Sequence, residues 1–185
     1  MPIFLFWVQG GTVPIFLFGC DFMKTKTRYL AHAAIIAALY AVLTHMQNIL
    51  LPGSATWAIQ MRLSEALCIL AFFTPAAIPG LTVGCLVFNL TYAAALPLDW
   101  IVGSLATLCA AWAMHRLRNM PVLGLLMPAL TNAILVGWEL TVYIGQAFWL
   151  NAVQVAIGEL AVLFTLGNVL YFAVKSRGLD KRLFG

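Results

Sequence analysis

Arg62-Leu63-Ser64-Glu65-Ala66-Leu67 sets an arginine and a glutamate at the head of a long apolar segment, in a chain with few other charges. On a helix the two lie three residues apart and share a face. Charge this close to hydrocarbon is costly, and it is kept where it builds a binding site or an ion path. The rest of the chain is read as what surrounds that pair.

With 63% hydrophobic and 9% charged residues, the chain is far from the soluble average of roughly a quarter charged, and it belongs in a bilayer. At about 20 residues per crossing, 185 residues leave room for about six helices and no additional soluble domain. The expected fold class is all-α: a polytopic membrane protein with six transmembrane helices in one domain, residues 23–185. Cys20, Cys68, Cys85 and Cys109 are scattered through apolar stretches without metal or redox spacing, and read as inert core thiols. The net charge of +4 comes from lysines and arginines between or beyond the apolar runs, so it signals topology and not a nucleic-acid patch.

Residues 1–22 carry Pro-Ile-Phe-Leu-Phe twice, separated by a stretch containing Gly10-Gly11. The prolines and glycines make a poor membrane helix, and no basic residue precedes the run as a secretory signal would require. They read as an apolar extension or an upstream start, with Met23-Lys24 opening the working unit and a seventh crossing as the alternative. The first helix is expected from about Tyr29 to Leu50, with a stripe Ala33, Ala37, Ala41 and Ala34, Ala38 beside it. Alanines four apart let helix backbones approach closely in lipid. Such a stripe packs either on the chain's own helices or on another membrane protein.

A connection over 51–61 holds Trp57, and further helices are expected over Ser64–Thr74, from Pro79-Gly80, from Asp99 to His115-Arg116-Leu117-Arg118, over Pro121–Tyr143 and over Leu150–Val174. With a cytoplasmic amino terminus, the basic clusters at 24–28, at Arg116 with Arg118, and in the tail all fall inside. That arrangement satisfies the positive-inside rule and its inverse violates it.

The topology gathers the acids in the outer half. Glu65 and Asp99 open helices, Glu139 lies near the outer end of the fifth, and Glu159 falls about eight residues into the sixth, roughly 12 Å deep. Arg62, Asn89, Asn132, Asn151 and Gln154 are their expected neighbours. Asp99 suits an N-cap after Pro97, and Glu65 suits a first turn or a pair with Arg62. Trp57, Trp138 and the other outer aromatics suit an interfacial belt before ligand stacking. Glu139 and Glu159 resist such structural explanations, because they lie inside helices without a basic neighbour in sequence. Asn132 suits an interhelical hydrogen bond.

No Gly-rich stretch precedes Lys-Ser or Lys-Thr, and no paired-histidine metal motif or serine-centred nucleophile motif occurs. Uphill transport would draw its energy from a partner or an ion gradient. No enzyme, metal or cofactor is expected.

The runs Met61 to Leu67, Phe73-Thr74-Pro75, Ala77 to Leu81, Gly84-Cys85, Asn89, Gly103 to Leu108, Asn132-Ala133, Gly137 and Gly158-Glu159 resemble the QueT family over about residues 23–175. These are substrate-binding S components of energy-coupling factor (ECF) transporters, associated with queuosine precursors. The resemblance implies six helices with both termini cytoplasmic in the cell membrane, and an outward-facing solute site. It also implies docking through an alanine-rich first helix, here Ala33, Ala37, Ala41, Ala34 and Ala38, onto a transmembrane coupling subunit driven by two ABC ATPases. A 7-deazaguanine offers a ring N–H beside an amine, which a carboxylate accepts in a bidentate contact. Glu139 or Glu159 would take that part, with Arg62, Asn89 or Asn132 on the ring carbonyl, Glu65 nearby, and Trp57 or Trp138 stacking. Three other readings stand: an S component for another vitamin or nucleobase, a self-sufficient proton-coupled carrier using Glu139 and Glu159, and a purely structural membrane subunit.

Overall fold

Ten residues, Leu63–Phe72, form a 3-10 helix that runs through the middle of the molecule, and eight of the ten are buried. The computed structural model describes residues 7–8, 11–12, 15–52, 54, 61–93, 95 and 97–184, with side-chain surroundings given within 26–180 and at 182. Around the central helix stand α1 (Ile15–Leu50), α2 (Ala77–Thr91), α3 (Asp99–Arg116) and α4 (Pro121–Ile144). A last rod joins α5 (Phe148–Val162), a π-helical turn (Leu163–Gly167) and α6 (Asn168–Ser176). Every one of these packs against the central helix, and α1 to α5 pack on one another in chain order. A two-residue antiparallel ribbon, Trp7–Val8 with Gly11–Thr12, precedes α1. A short α7 (Leu179–Phe184) follows Gly178, whose φ of 61° suits glycine.

The all-α expectation holds, with six helical rods. Among the described residues, three are long and apolar enough to cross a membrane: Lys26–Leu50, Pro121–Ile144 and Phe148–Ser176. Their outer faces agree, since Leu30, Ile49, Val122, Val169 and Phe172 are 65–72% exposed. Aliphatic surface on that scale is the mark of a lipid-facing wall.

Three local expectations are corrected. Segment 64–74 is not an α-helix. Its tighter winding stretches ten residues to about 20 Å and lines up positions three apart, so Arg62, Glu65 and Cys68 fall on one row. Small residues at Ser64, Ala66 and Ala71 suit a slender element enclosed on all sides. At its C-terminal end the last carbonyls need donors, and His115 Nδ1 on α3 donates to the Ala71 carbonyl at 2.7 Å. Second, α1 begins at Ile15 and not near Tyr29. Third, Asp99 is the first residue inside α3, and Leu98 stands at the cap position.

The α1–α2 seam answers the alanine question in part. A Cβ on Gly80 would stand 2.8 Å from the Ala33 carbonyl oxygen, and one on Gly84 would stand 2.8 Å from that of Ala37. Ala33 and Ala37 are thus engaged inside the chain, and Ala41 is buried. Ala34 and Ala38 stay exposed on the adjoining face. α4 ends on Gly145, whose φ of 73° and N–H bond to the Thr141 carbonyl close the helix in the left-handed conformation.

Candidate functional site: a buried acidic centre around Arg62

Five elements, α1 to α5, come together around Arg62. Along α1, Tyr40, Thr44, Gln47 and Asn48 recur at spacings of four, three and one, which is one helical face. All four are buried. Gln47 brackets Arg62: its Nε2 donates to the Met61 carbonyl, and its Oε1 accepts from the Leu63 N–H at 2.8 Å. Both peptide groups flanking the arginine are therefore pinned to α1, which fixes the direction its side chain takes. Thr44 Oγ1 donates to Ser64 Oγ at 2.7 Å and ties the next residue along.

Glu65 is the best-served acid. Tyr40 Oη donates to its Oε1 at 2.5 Å, and Cys68 Sγ donates to its Oε2 at 3.0 Å. Charge-assisted bonds of this kind are short and strong. Removing the phenol oxygen in Tyr40→Phe leaves a buried carboxylate oxygen without its donor. The expected loss of stability is about 1–3 kcal/mol. Cys68→Ala removes only a weak S–H donor and should cost less, as denaturant titration in detergent would register. The opposite order would put the Glu65 anchor on the thiol.

Arg62 is 4% exposed and lies within electrostatic reach of Glu65, Asp99, Tyr40 and Cys85. It also acts on Glu139 and Glu159. Its Nη1 donates to Cys85 Sγ at 3.9 Å. Asn89, one turn beyond Cys85 on α2, donates through Nδ2 to the Asp99 carbonyl at 2.7 Å. Gly103 on α3 makes that contact possible, since a Cβ there would stand 3.0 Å from Asn89 Nδ2. On the far side, Asn132 Nδ2 of α4 donates to Glu159 Oε1 of α5 at 2.8 Å. This is the interhelical hydrogen bond expected of Asn132. Glu139, with no exposed surface, lies near Asp99.

The structure therefore joins Arg62, Glu65, Asn89, Asp99, Asn132, Glu139 and Glu159 in one buried polar centre. Asp99 belongs to it as a charged neighbour of Arg62, in place of the capping role its sequence position suggested. Trp138 does not join: at 52% exposure it faces outward with Trp100, Tyr143 and Trp149, as an interfacial belt would. Trp57 falls outside the described residues. Tyr40, Thr44, Gln47, Cys68 and Cys85 were missed as parts of the centre. The stripe on α1 was readable as a polar face inside an apolar helix. The two thiols gave no such signal, because a cysteine in an apolar run looks the same whether it meets a carboxylate or a leucine.

The unmet groups are telling. Both carboxylate oxygens of Glu139, Oε2 of Glu159 and Oδ1 of Asn89 are buried without a hydrogen-bond partner. Buried polar atoms are nearly always bonded, and those that are not point to something the protein alone does not supply.

Comparison with known proteins places these residues in context. The chain matches the QueT transporter family over residues 30–176. The queuosine precursor transporter QueT of Lactococcus lactis subsp. cremoris (strain MG1363) is 39% identical over 85 residues, which is 46% of this chain and 48% of that protein. The match thus spans about half the length of that relative. No solved structure matches the chain.

Proposed function

The chain belongs to the QueT transporter family, and from that premise we propose that it captures a queuosine precursor, a 7-deazaguanine, in the acidic centre around Arg62. The observation that carries this reading is the set of unpartnered carboxylate and amide oxygens deep in an otherwise apolar bundle. A deazaguanine edge presents adjacent N–H groups, which a carboxylate accepts as a pair. Glu159 is the better placed for that edge: Asn132 holds one oxygen and fixes the group, while the other is open. Asn89 already spends its donors on Cys85 and on the Asp99 carbonyl, while Asn132 spends one on Glu159. Donation to the ring carbonyl is assigned to Arg62, whose guanidinium carries five N–H groups, with the second N–H of Asn132 beside it. Stacking by Trp138 is dropped, since its ring faces away from the centre.

In this reading the chain is the solute-binding S component of an ECF importer in the cell membrane, without an ATPase of its own. Both termini are cytoplasmic, and the centre opens to the outside. The coupling subunit meets α1 on the exposed side that carries Ala34 and Ala38, because Ala33 and Ala37 are taken by α2. Two ABC ATPases supply the energy. Residues 1–22 lie ahead of the family match, which begins at residue 30, although 15–22 continue into α1.

Calorimetry of queuine and its precursors on the purified protein, without partners, tests the binding claim. Glu159→Gln replaces an accepting oxygen with a donor and should weaken binding roughly 10- to 100-fold. Unchanged affinity would take Glu159 out of the site, and no saturable binding by folded protein would reject the substrate class. The unpartnered acids also favour a second reading, a proton-coupled carrier. It requires uptake into vesicles driven by a pH gradient with no ATPase present, and failure of that uptake removes it.

A further inference from the structure

One end of the bundle is assembled on the last turn of the central 3-10 helix. The Ala71 carbonyl accepts from His115 near the C-terminus of α3. Tyr171 of α6 stacks on Phe73 at 5.5 Å and meets Phe72 edge-on at 5.9 Å. A Cβ on Gly124, in the first turn of α4, would stand 2.5 Å from Phe72 Cε1 and 3.6 Å from the Leu117 carbonyl oxygen. The start of α2 follows directly, and its Gly80 abuts Ala33 of α1.

This end carries the basic residues. Arg28 precedes Ala33 on α1, Arg116 and Arg118 follow His115, Lys175 and Arg177 follow Tyr171, and all five are exposed. Exposed Arg182 lies on α7, which packs on α6. Among the residues whose side chains are described, Arg62 is the single lysine or arginine away from this end, about 20 Å off along the central helix. The acids are distributed the other way. Glu65, Asp99, Glu139 and Glu159 gather around Arg62, and Asp180, beside Lys175, is the acid described at the basic end. Helix dipoles do not offset the remainder. The C-termini of α3 and α6 meet the N-termini of α2 and α4 here, and their opposite partial charges cancel. The countercharge therefore comes from outside the chain.

Two of these cations show on which side it lies. The Arg116 guanidinium is 5.4 Å from the centre of the Trp112 ring. Lys175 Nζ is 5.2 Å from that of Tyr171 and donates to its Oη at 3.0 Å. Trp112 is exposed, as are Val169 and Phe172 flanking Tyr171, and these side chains belong to the wall that faces hydrocarbon. Each cation is thus one turn from that wall, on its perimeter, at the level where headgroups meet acyl chains.

We propose that this basic end is a binding surface for anionic phospholipids. Their phosphates are held by Arg116 and Arg118 on the α3 side and by Lys175 and Arg177 on the α6 side, with acyl chains lying along Trp112 and Phe172. A phosphodiester accepts paired N–H bonds from an arginine fork and meets a lysine as a point charge. The proposal does not depend on the identity of the solute.

Electron paramagnetic resonance of spin-labelled phosphatidylglycerol and phosphatidylcholine, with the full-length protein in phosphatidylcholine bilayers, reads the relative affinity of the two headgroups for the protein's perimeter. The anionic label is expected to be favoured roughly 5-fold, and molar sodium chloride should lower that preference towards one. Combining Arg116→Gln, Arg118→Gln, Lys175→Gln and Arg177→Gln should abolish it, whereas Arg116→Lys, Arg118→Lys and Arg177→Lys together should keep it. Equal association of the two labels with the wild type overturns the proposal. So does displacement of the anionic label by millimolar inorganic phosphate, which would mark a site for a free anion. A folded fourfold glutamine variant that keeps the wild-type preference overturns it too. Equal association, joined to loss of solute uptake by that variant in cells, would assign the basic end to an acidic protein instead. The wild-type comparison across lipids and salt needs no variant, so it decides the matter even if the fourfold change prevents folding.

Discussion

Replacing Arg62 with methionine is expected to destabilise the bundle by about 3–5 kcal/mol and to abolish solute binding. Methionine fills much of the same volume, so the loss is electrostatic. It strands the carboxylates of Glu65, Asp99, Glu139 and Glu159 inside the bundle without the guanidinium that acts on all four. Breaking a buried pair by removing one member is far more damaging than replacing every member with apolar groups. Arg62→Lys should fall between, because it keeps the charge but not the planar fork that reaches several partners at once. Unfolding by denaturant in detergent, read beside ligand calorimetry, checks the order wild type, lysine, methionine. A methionine variant as stable as the wild type would mean that the four acids do not depend on this arginine.

The same geometry explains which parts of the site were legible in the sequence. Glu139 and Glu159 stand out because a carboxylate in the interior of an apolar helix has few structural excuses. The alternation of rods then carries them to the same end of the bundle as Arg62 and Glu65. That step needs only helix lengths and short connections. Asn132 was legible for the same reason, seven residues from Glu139 on the same helix face. Helical phase relative to neighbours was not legible. It separates Ala33 and Ala37, which meet the α2 glycines, from Ala34 and Ala38, which do not. It also turns Trp138 outward while its neighbour Glu139 turns in.

Other features depended on contacts that no local pattern specifies. The central helix is 3-10 in geometry and is enclosed by every other rod, and enclosure is a property of the whole fold. Asp99 follows a proline closely and looks like a cap, yet Leu98 holds that place and Asp99 turns to Arg62. Cys68 and Cys85 acquire polar roles only because Glu65 and Arg62 arrive beside them. In each case a residue's neighbours come from distant sequence, so tertiary packing overrides the local reading.

The seam between α1 and α2 carries the second large effect. A Cβ at Gly84 would lie 2.7 Å from Tyr40 Cβ, 2.8 Å from the Ala37 carbonyl oxygen and 3.1 Å from Ala37 Cα. Two of these three atoms are backbone, so no rotamer change makes room and the helices must separate. Gly84→Ala is expected to cost about 1–3 kcal/mol, the usual range for overpacking, and Gly84→Val more. Separation also carries Tyr40 away from Glu65, its partner at 2.5 Å, so ligand affinity should fall together with stability. Ala37→Gly, which shortens the facing side chain, should not rescue the variant, because the clash is with Ala37's main chain and with Tyr40. Paired measurement of unfolding midpoint and affinity in Gly84→Ala, with and without Ala37→Gly, tests the coupling. Full rescue would show that the helices touch through side chains, and loss of stability with affinity intact would separate the seam from the acidic centre.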